Sequence, residues 1–293
     1  SVTEGGTLAF PISLSAATDR PITVTYNTSN DTATIADLDY TQVNNSSVTI
    51  PANSTSAVAN VTTTADDKTE ANEKLTVTLT NIQVDGRPVS FGGTATSVSA
   101  SGTINNDDLS TISISNATAI EGSALSFTIS LSNPVDTAIS FKRASANGTA
   151  TTADPDYTAS ALTTVTFDAG STTAKTVTVN TNNDDTTEAN ESFSLVLSNL
   201  VAAGRGVQFT GGAASINGTG TITDNDESVI TVGNATVVEG GNLSFPISIN
   251  NPVDLAITLT RATNDGTALA SNDYTALAAG TVTFPANSEA NQA

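Results

Sequence analysis

The chain repeats itself at an interval close to 117 residues, and this limits its possible folds more than any other feature. VTEGGTLAFPISLS at residues 2–15 returns as AIEGSALSFTISLS from Ala119 and as VVEGGNLSFPISIN from Val237. Glu4, Glu121 and Glu239 mark the same step, 117 and then 118 residues apart. LDYT, PDYT and NDYT place Asp39, Asp156 and Asp273 at intervals of 117. The stretch ADDKTEANEKLTVTL at residues 65–79 returns as NDDTTEANESFSLVL at 183–197. SGTINNDD closes at Asp108 and TGTITDND at Asp226. Solenoid repeats run to roughly 20–45 residues, so a period this long describes a domain rather than a supersecondary unit. The expected units are 1–108, 109–226 and 227–293.

Within each unit the apolar residues alternate. Leu8, Phe10, Ile12 and Leu14 interleave with Thr, Ala, Pro and Ser. Ile22, Val24 and Tyr26 set a second strand, Val48 and Ile50 a third, Ala57, Ala59 and Val61 a fourth, and Leu75, Val77 and Leu79 a fifth. Residues 94–104 set another, and residues 28–40 are turn-rich. No stretch carries a helical period of useful length. Short strands with one apolar face and one Thr/Ser face predict an all-β chain of two-sheet antiparallel sandwiches. Gly after each opening glutamate permits a bend there, so the first strand is expected to cross between sheets. Pro11 and Pro246 are expected on strand edges.

The units are expected to sit end to end. Only Leu109-Ser110 and Glu227-Ser228 separate each closing acidic run from the next first strand. The second and third units open with TISISNAT and VITVGNAT, a segment without a counterpart in the first unit. The third unit runs to Ala293 without an acidic stretch. The expectation is a window of a longer array, with further chain or a neighbouring molecule completing the third sandwich.

The acidic elements should meet at one end of each sandwich, because alternate loops share a pole. For the first unit these are Glu4, Asp39, Asp66, Asp67, Glu70, Glu73, Asp107 and Asp108. For the second they are Glu121, Asp156, Asp184, Asp185, Glu188, Glu191, Asp224 and Asp226. Four carboxylates within eight residues repel one another unless a cation sits among them. Lys68 and Lys74 flank the first stretch, and no base lies in the second. A hard cation with six to eight oxygen ligands fits, so calcium is the expected cofactor, ahead of magnesium with its tight octahedron. The competing reading is a solvated acidic face.

Composition removes other chemistries. There is no Cys, His or Met, hence no thiolate and none of the usual zinc, copper or haem ligands. A net charge of −20 argues against nucleic acid and anionic membrane as partners. No apolar run approaches the roughly 18 residues of a membrane span. Without a His base, a Cys nucleophile, a phosphate loop or any Trp platform, an enzyme is not expected. Sequons such as those at Asn27 and Asn116 arise by chance in so Asn-, Ser- and Thr-rich a chain. Tyr40, Tyr157 and Tyr274 are expected to pack near the pole with bonded hydroxyls, and Arg87 and Arg205 to brace matching loops.

The combination resembles the Calx-beta family. The residues carrying it are the EG step (Glu4-Gly5, Glu121-Gly122, Glu239-Gly240), GTA at 148–150 before Asp156-Tyr157, the DDxxExxE stretch and the TIxxxD closure. The resemblance implies immunoglobulin-like sandwiches of about seven strands, with calcium held at one pole by the opening Glu, the DY Asp, the acidic stretch and the closing Asp run. Exchanger members can close on three consecutive aspartates, whereas these closures are NNDD and TDND. The family occurs in regulatory regions of sodium–calcium exchangers, in an integrin β4 tail and in large bacterial surface proteins. The expected function is a calcium-rigidified stalk segment of a secreted or surface-anchored bacterial adhesin or extracellular filament. The expected partners are neighbouring copies of the repeat, other copies of the chain or a cell-surface or matrix ligand, without direct membrane insertion. The alternative is a calcium-sensing regulatory module of a membrane transporter.

Overall fold

A computed structural model describes residues 1–290. The first unit holds β1 (Val2–Thr3), β2 (Thr7–Ser13), β3 (Ile22–Asn30), β4 (Ser46–Ile50), β5 (Ser56–Thr62), β6 (Glu73–Gln83) and β7 (Val98–Asn105). The second holds β8 (Ser110–Ile114), β9 (Ala117–Ile120), β10 (Ala124–Leu131), β11 (Ile139–Asn147), β12 (Thr163–Phe167), β13 (Lys175–Asn180), β14 (Glu191–Val201), β15 (Val207–Phe209) and β16 (Ile216–Thr223). The third holds β17 (Ile230–Val232), β18 (Ile247–Ile249), β19 (Ile257–Arg261) and β20 (Gly280–Phe284). Among the described residues the only helical element is a 3-10 turn, Thr210–Gly212.

The second unit shows the sandwich in full. One sheet runs β13-β10-β8-β15 and the other β12-β11-β14-β16-β9. Leu125, Phe127 and Ile129 from the first sheet meet Phe141, Phe193 and Leu195 from the second in a buried core. The alternation of β10 (exposed, buried, exposed, buried) is the period two of the sequence. In the first unit the matching sheets are β1-β7-β6-β3-β4 and the two-stranded β2-β5. The third unit has two two-stranded sheets. Its first strand, β17, leaves Ile230 and Val232 exposed.

The crossing at the EG step is present in the first two units, whereas the third has no strand directly before or after Glu239-Gly240. β1 pairs in parallel with β7 in the larger sheet, whereas β2 belongs to the smaller one. β9 and β10 repeat this. Gly5 and Gly122 make the bend at φ of 71° in both units, a left-handed conformation that costs glycine little. The last strand of the first unit starts at Val98 rather than near Thr94, since residues 91–97 turn or run irregularly. β3 runs on to Asn30 before the turn-rich segment. Pro11 lies on β2, paired with β5 on one side only, and Pro246 lies just before β18.

A Cβ on Gly122 would stand 2.9 Å from Cβ and Oδ1 of Asn183, in the acidic stretch. Gly122→Ala therefore combines strain with a clash and should destabilise the second unit by about 1–3 kcal/mol. Hydrogen exchange on the full chain checks this: amides of β10 and β13 should lose protection while those of β2 and β5 keep theirs.

Candidate metal centre

Each acidic residue type reaches the pole by a separate device. Glu4 follows β1, and its N–H donates to Asn105 O at 3.2 Å, which fixes it beside the end of β7. Glu121 donates likewise to Thr223 O at 3.1 Å. Asp39 closes the 34–39 loop by accepting Thr34 N–H on Oδ2 at 2.5 Å, and its carbonyl accepts Thr64 N–H at 3.0 Å. Asp156 repeats this with Thr151 N–H at 2.5 Å and Asn182 N–H at 2.9 Å. Asp66 and Asp184 fold the acidic stretch back by accepting the N–H two residues on, at 2.7 Å in both units. Such Asx turns are what Asp does in tight loops. Glu73 and Glu191 are the first residues of β6 and β14.

The result is two carboxylate groups per pole. Oxygens of Glu4, Asp107 and Asp108 lie within 4.8 Å of one another, and so do those of Asp39, Glu70 and Glu73. In the second unit the groups are Glu121, Asp184 and Asp226, and Asp156, Glu188 and Glu191. Asp66 lines the same small cavity as Glu4, Asp39, Glu70 and Glu73, and Asp184 and Asp224 line its counterpart. Asp67 and Asp185 stay exposed and join neither group. The Asx turns of Asp66 and Asp184 leave Asp67 and Asp185 on a bend that faces solvent. Asp224 has a second task, accepting Glu188 N–H at 3.2 Å; Asn106 does this for Glu70 at 3.0 Å.

The residues fit a hard cation, and two observations carry that. The Oδ2 atoms of Asp108 and Asp226 are buried without a hydrogen-bond partner, at equivalent places in the two units. A carboxylate oxygen left so is costly unless a cation meets it. The carboxyls are also poorly placed to carry charge. Burial first, then the Asp39 side chain, pushes Glu73 up to about 8. Burial and Asp226 push Glu121 up to about 8. Burial and neighbouring aspartates raise Glu188 and Glu191 to about 7. Glu4, Glu70, Asp108 and Asp224 are raised too, with burial the leading cause in each. Lys68 pairs with Glu70 in the first unit, while Glu188 has Thr186 in the matching place.

Tyr40 and Tyr157 pack as expected, whereas Tyr274 has its hydroxyl on Asp265 but lies outside the third unit's core. Tyr40 donates to Asn30 Oδ1 at 2.7 Å and Tyr157 to Asn147 Oδ1 at 2.6 Å, and Tyr157 stacks on Phe193 with centroids 4.1 Å apart. Sequence reasoning passed over Asn72 and Asn190, whose Oδ1 atoms accept the N–H of Asn106 and Asp224 at 3.1 and 3.2 Å. It also passed over Thr69 and Thr187. The available signal was the pentapeptide TEANE, identical in both copies. In the third unit Asp273 Oδ2 accepts Leu269 N–H at 2.8 Å, and Glu239 stays exposed.

Comparison with family models matches the Calx-beta domain over residues 1–108, 105–226 and 223–292. No curated protein matches the chain. Among solved structures, the apo form of the Calx CBD1 domain is 20% identical, with 41% of this chain and 100% of that one covered at a TM-score of 0.35. CBD12 from CALX1.2 is 16% identical, with 70% and 78% covered at a TM-score of 0.32. The calcium binding domain CBD12 of CALX1.1 is 17% identical, with 68% and 76% covered at a TM-score of 0.32. At these values the superpositions carry no argument, whereas the family match spans all three units.

The raised carboxyls set the sign of a pH dependence. A carboxyl whose folded value lies above its unfolded value near 4.5 binds protons on folding. Its contribution favours the folded state at low pH and is lost as pH rises from 4.5 towards about 8. In chelator the melting temperature should therefore fall between about pH 5 and about pH 8.5. Melting curves followed by circular dichroism check this; a flat or rising profile contradicts the crowding.

Proposed function

The chain belongs to the Calx-beta domain family, and from that membership we propose that its acidic poles bind calcium and that the bound ions stiffen the joints of a tandem array. Glu4, Asp66, Asp107 and Asp108 would hold one ion of the first pole, and Asp39, Glu70 and Glu73 a second. Glu121, Asp184 and Asp226, and Asp156, Glu188 and Glu191, would do the same in the second. Calcium supplies the positive charge that lets the carboxyls lose their protons and share one small volume.

The observation that carries the reading is the seam between units. Thr69 lies inside the acidic stretch, between Asp67 and Glu70, and is fully buried. Its N–H donates to Pro134 O at 2.9 Å, and its carbonyl accepts Asp136 N–H at 3.1 Å. Its hydroxyl lies 2.7 Å from that of Ser110. The metal loop of one unit is thus a one-residue edge strand of the next. The second seam repeats the pattern: Thr187 N–H donates to Pro252 O at 2.9 Å, its carbonyl accepts Asp254 N–H at 3.3 Å, and its hydroxyl meets that of Ser228 at 2.7 Å. On the far side of the first seam, Arg205 grips Asp136 through two bonds of 2.7 Å, and its charge is felt at Glu70 and Glu73. An ion that orders the loop therefore fixes the position of the next unit.

Rigid repeats joined this way suit the stalk of a secreted or surface-anchored bacterial protein, and the role is structural rather than catalytic. The same seam would serve a calcium-sensing module of a transporter, and transmembrane helices in flanking sequence would single out that case.

Small-angle scattering of the full chain tests the proposal. With calcium the maximum dimension should be larger and the profile that of a stiff rod. Excess chelator should shorten it, and the melting temperature should fall with it by mass action. The double variant Asp108→Asn, Asp226→Asn should keep its strand content and lose the response. Identical scattering and melting in calcium and chelator would overturn the reading.

A further inference from the structure

The two poles differ in one inward-facing positive charge. Lys68 and Thr186 stand at the same place in the acidic stretch, two residues after Asp66 and Asp184. The backbone there is alike in both units, since each donates its N–H to Oδ1 of that aspartate at 2.7 Å. Only the side chain changes. Lys68 turns in: its side chain is 29% exposed, and its Nζ sits on Oε1 of Glu70, itself 14% exposed. Of the ion pairs among the described residues, this is the one that lies within a carboxylate group. The charge of Lys68 is also felt at Asp39 and Glu73, so it reaches every member of the Asp39, Glu70 and Glu73 group. Lys74, the other base of the stretch, stays exposed.

An ammonium carries three N–H donors and no acceptor. It answers the charge of a carboxylate but cannot ligate a metal, so on Glu70 it holds an oxygen that a cation would need. Thr186 offers a neutral hydroxyl instead. A second difference moves charge the same way. The closing runs read NDD at 106–108 and DND at 224–226. Asn106 therefore accepts the Glu70 N–H on an amide oxygen at 3.0 Å, where Asp224 accepts the Glu188 N–H on a carboxylate oxygen at 3.2 Å. At the other group the exchange is reversed. Asp107 joins Glu4 and Asp108, whereas Asn225 donates its amide to Glu121 Oε1 at 3.1 Å. Both substitutions leave the surroundings of Asp39, Glu70 and Glu73 less negative than those of Asp156, Glu188 and Glu191. Burial raises Glu70 and Glu188 alike; contact with Lys68 draws Glu70 back, and Glu188, without a base beside it, reaches about 7. Glu73 stays at about 8, since burial and Asp39 outweigh Lys68 there.

We propose that Lys68 is a tethered counter-ion of the first pole: calcium enters the Asp39, Glu70 and Glu73 group only by displacing the ammonium, so this site fills after its counterpart at Asp156, Glu188 and Glu191. The inference rests on the reading of the poles as calcium sites. It also separates the two joints. Thr69, the residue after Lys68, pairs with Pro134 and Asp136 across the first seam. The ammonium therefore braces that seam before any ion arrives, whereas the second seam waits for metal.

Hydrogen exchange of the full chain across a calcium titration reads the two sites separately, through residues 34–40 and 151–157. The calcium midpoint at 34–40 should be at least about tenfold higher, the order expected for a unit charge close to a divalent ion. Lys68→Thr should bring it down to that of the second pole, and Thr186→Lys should raise the midpoint at 151–157 by a similar factor. In chelator, Lys68→Thr should speed exchange at Thr69 and Asp136 about fivefold, the order of one partly exposed ion pair. Each substitution installs a residue that the other unit carries on the same backbone, so both chains should keep their strand content. If calcium slows exchange at both poles and neither substitution moves a midpoint, the counter-ion role of Lys68 is overturned while the calcium sites stand. If calcium changes exchange at neither pole, both are overturned.

Discussion

Everything at the pole follows from like charges held together by a scaffold that does not yield. The ends of β1, β6 and β7 and the 34–39 loop are set by hydrogen bonds, which hold Glu4, Asp39 and Glu73 at one end of the unit. At an effective dielectric of about 20, a pair of charges at 4 Å costs about 4 kcal/mol before screening. The protein has three ways out: protons, its own bases or a cation. Lys68 covers Glu70 in the first unit, and the second has no base in its acidic stretch. Burial and neighbouring carboxylates raise Glu73, Glu121, Glu188 and Glu191, which makes protons one answer, and the partnerless Oδ2 of Asp108 is an oxygen that a cation could meet instead.

The same residues join the units, which links charge to shape. Thr69 and Thr187 sit among the acidic residues and pair with the edge loop of the next unit. A loop pushed open by repulsion cannot keep N–H and carbonyl in register with Pro134 and Asp136. On the proposed reading, neutralisation and stiffness are one event at each seam. The linkers, Leu109-Ser110 and Glu227-Ser228, are too short to act as hinges of their own, and Ser110 and Ser228 enter the seam directly.

Much of this was legible in the sequence, for physical reasons. Period-two alternation reports a half-buried strand, so Leu8, Phe10, Leu75 and Val77 declared their faces, and each is buried. Gly5 and Gly122 announced the sheet crossing because a left-handed bend asks for glycine. Repetition brought out the acidic set. What stayed hidden depends on direction and on tertiary neighbours. Asp67 and Asp185 look like ligands in a string of letters, yet the turn made by the aspartate before each leaves them exposed. Thr69 reads as one more polar residue of the acidic stretch until its partner, more than sixty positions away, is in place. The supporting role of Asn72 and Asn190 shows only when β7 and β16 end beside them.

Proton release on metal binding probes the central claim most directly. Calcium is titrated calorimetrically into the full chain near neutral pH, in buffers of different ionisation enthalpy. If crowded carboxyls give up protons to a cation, the apparent heat varies with the buffer and reports net release of protons at the two poles, growing smaller at higher pH. Binding heat that is the same in every buffer, or no binding at millimolar calcium, would contradict the account and leave the poles as solvated acidic surfaces.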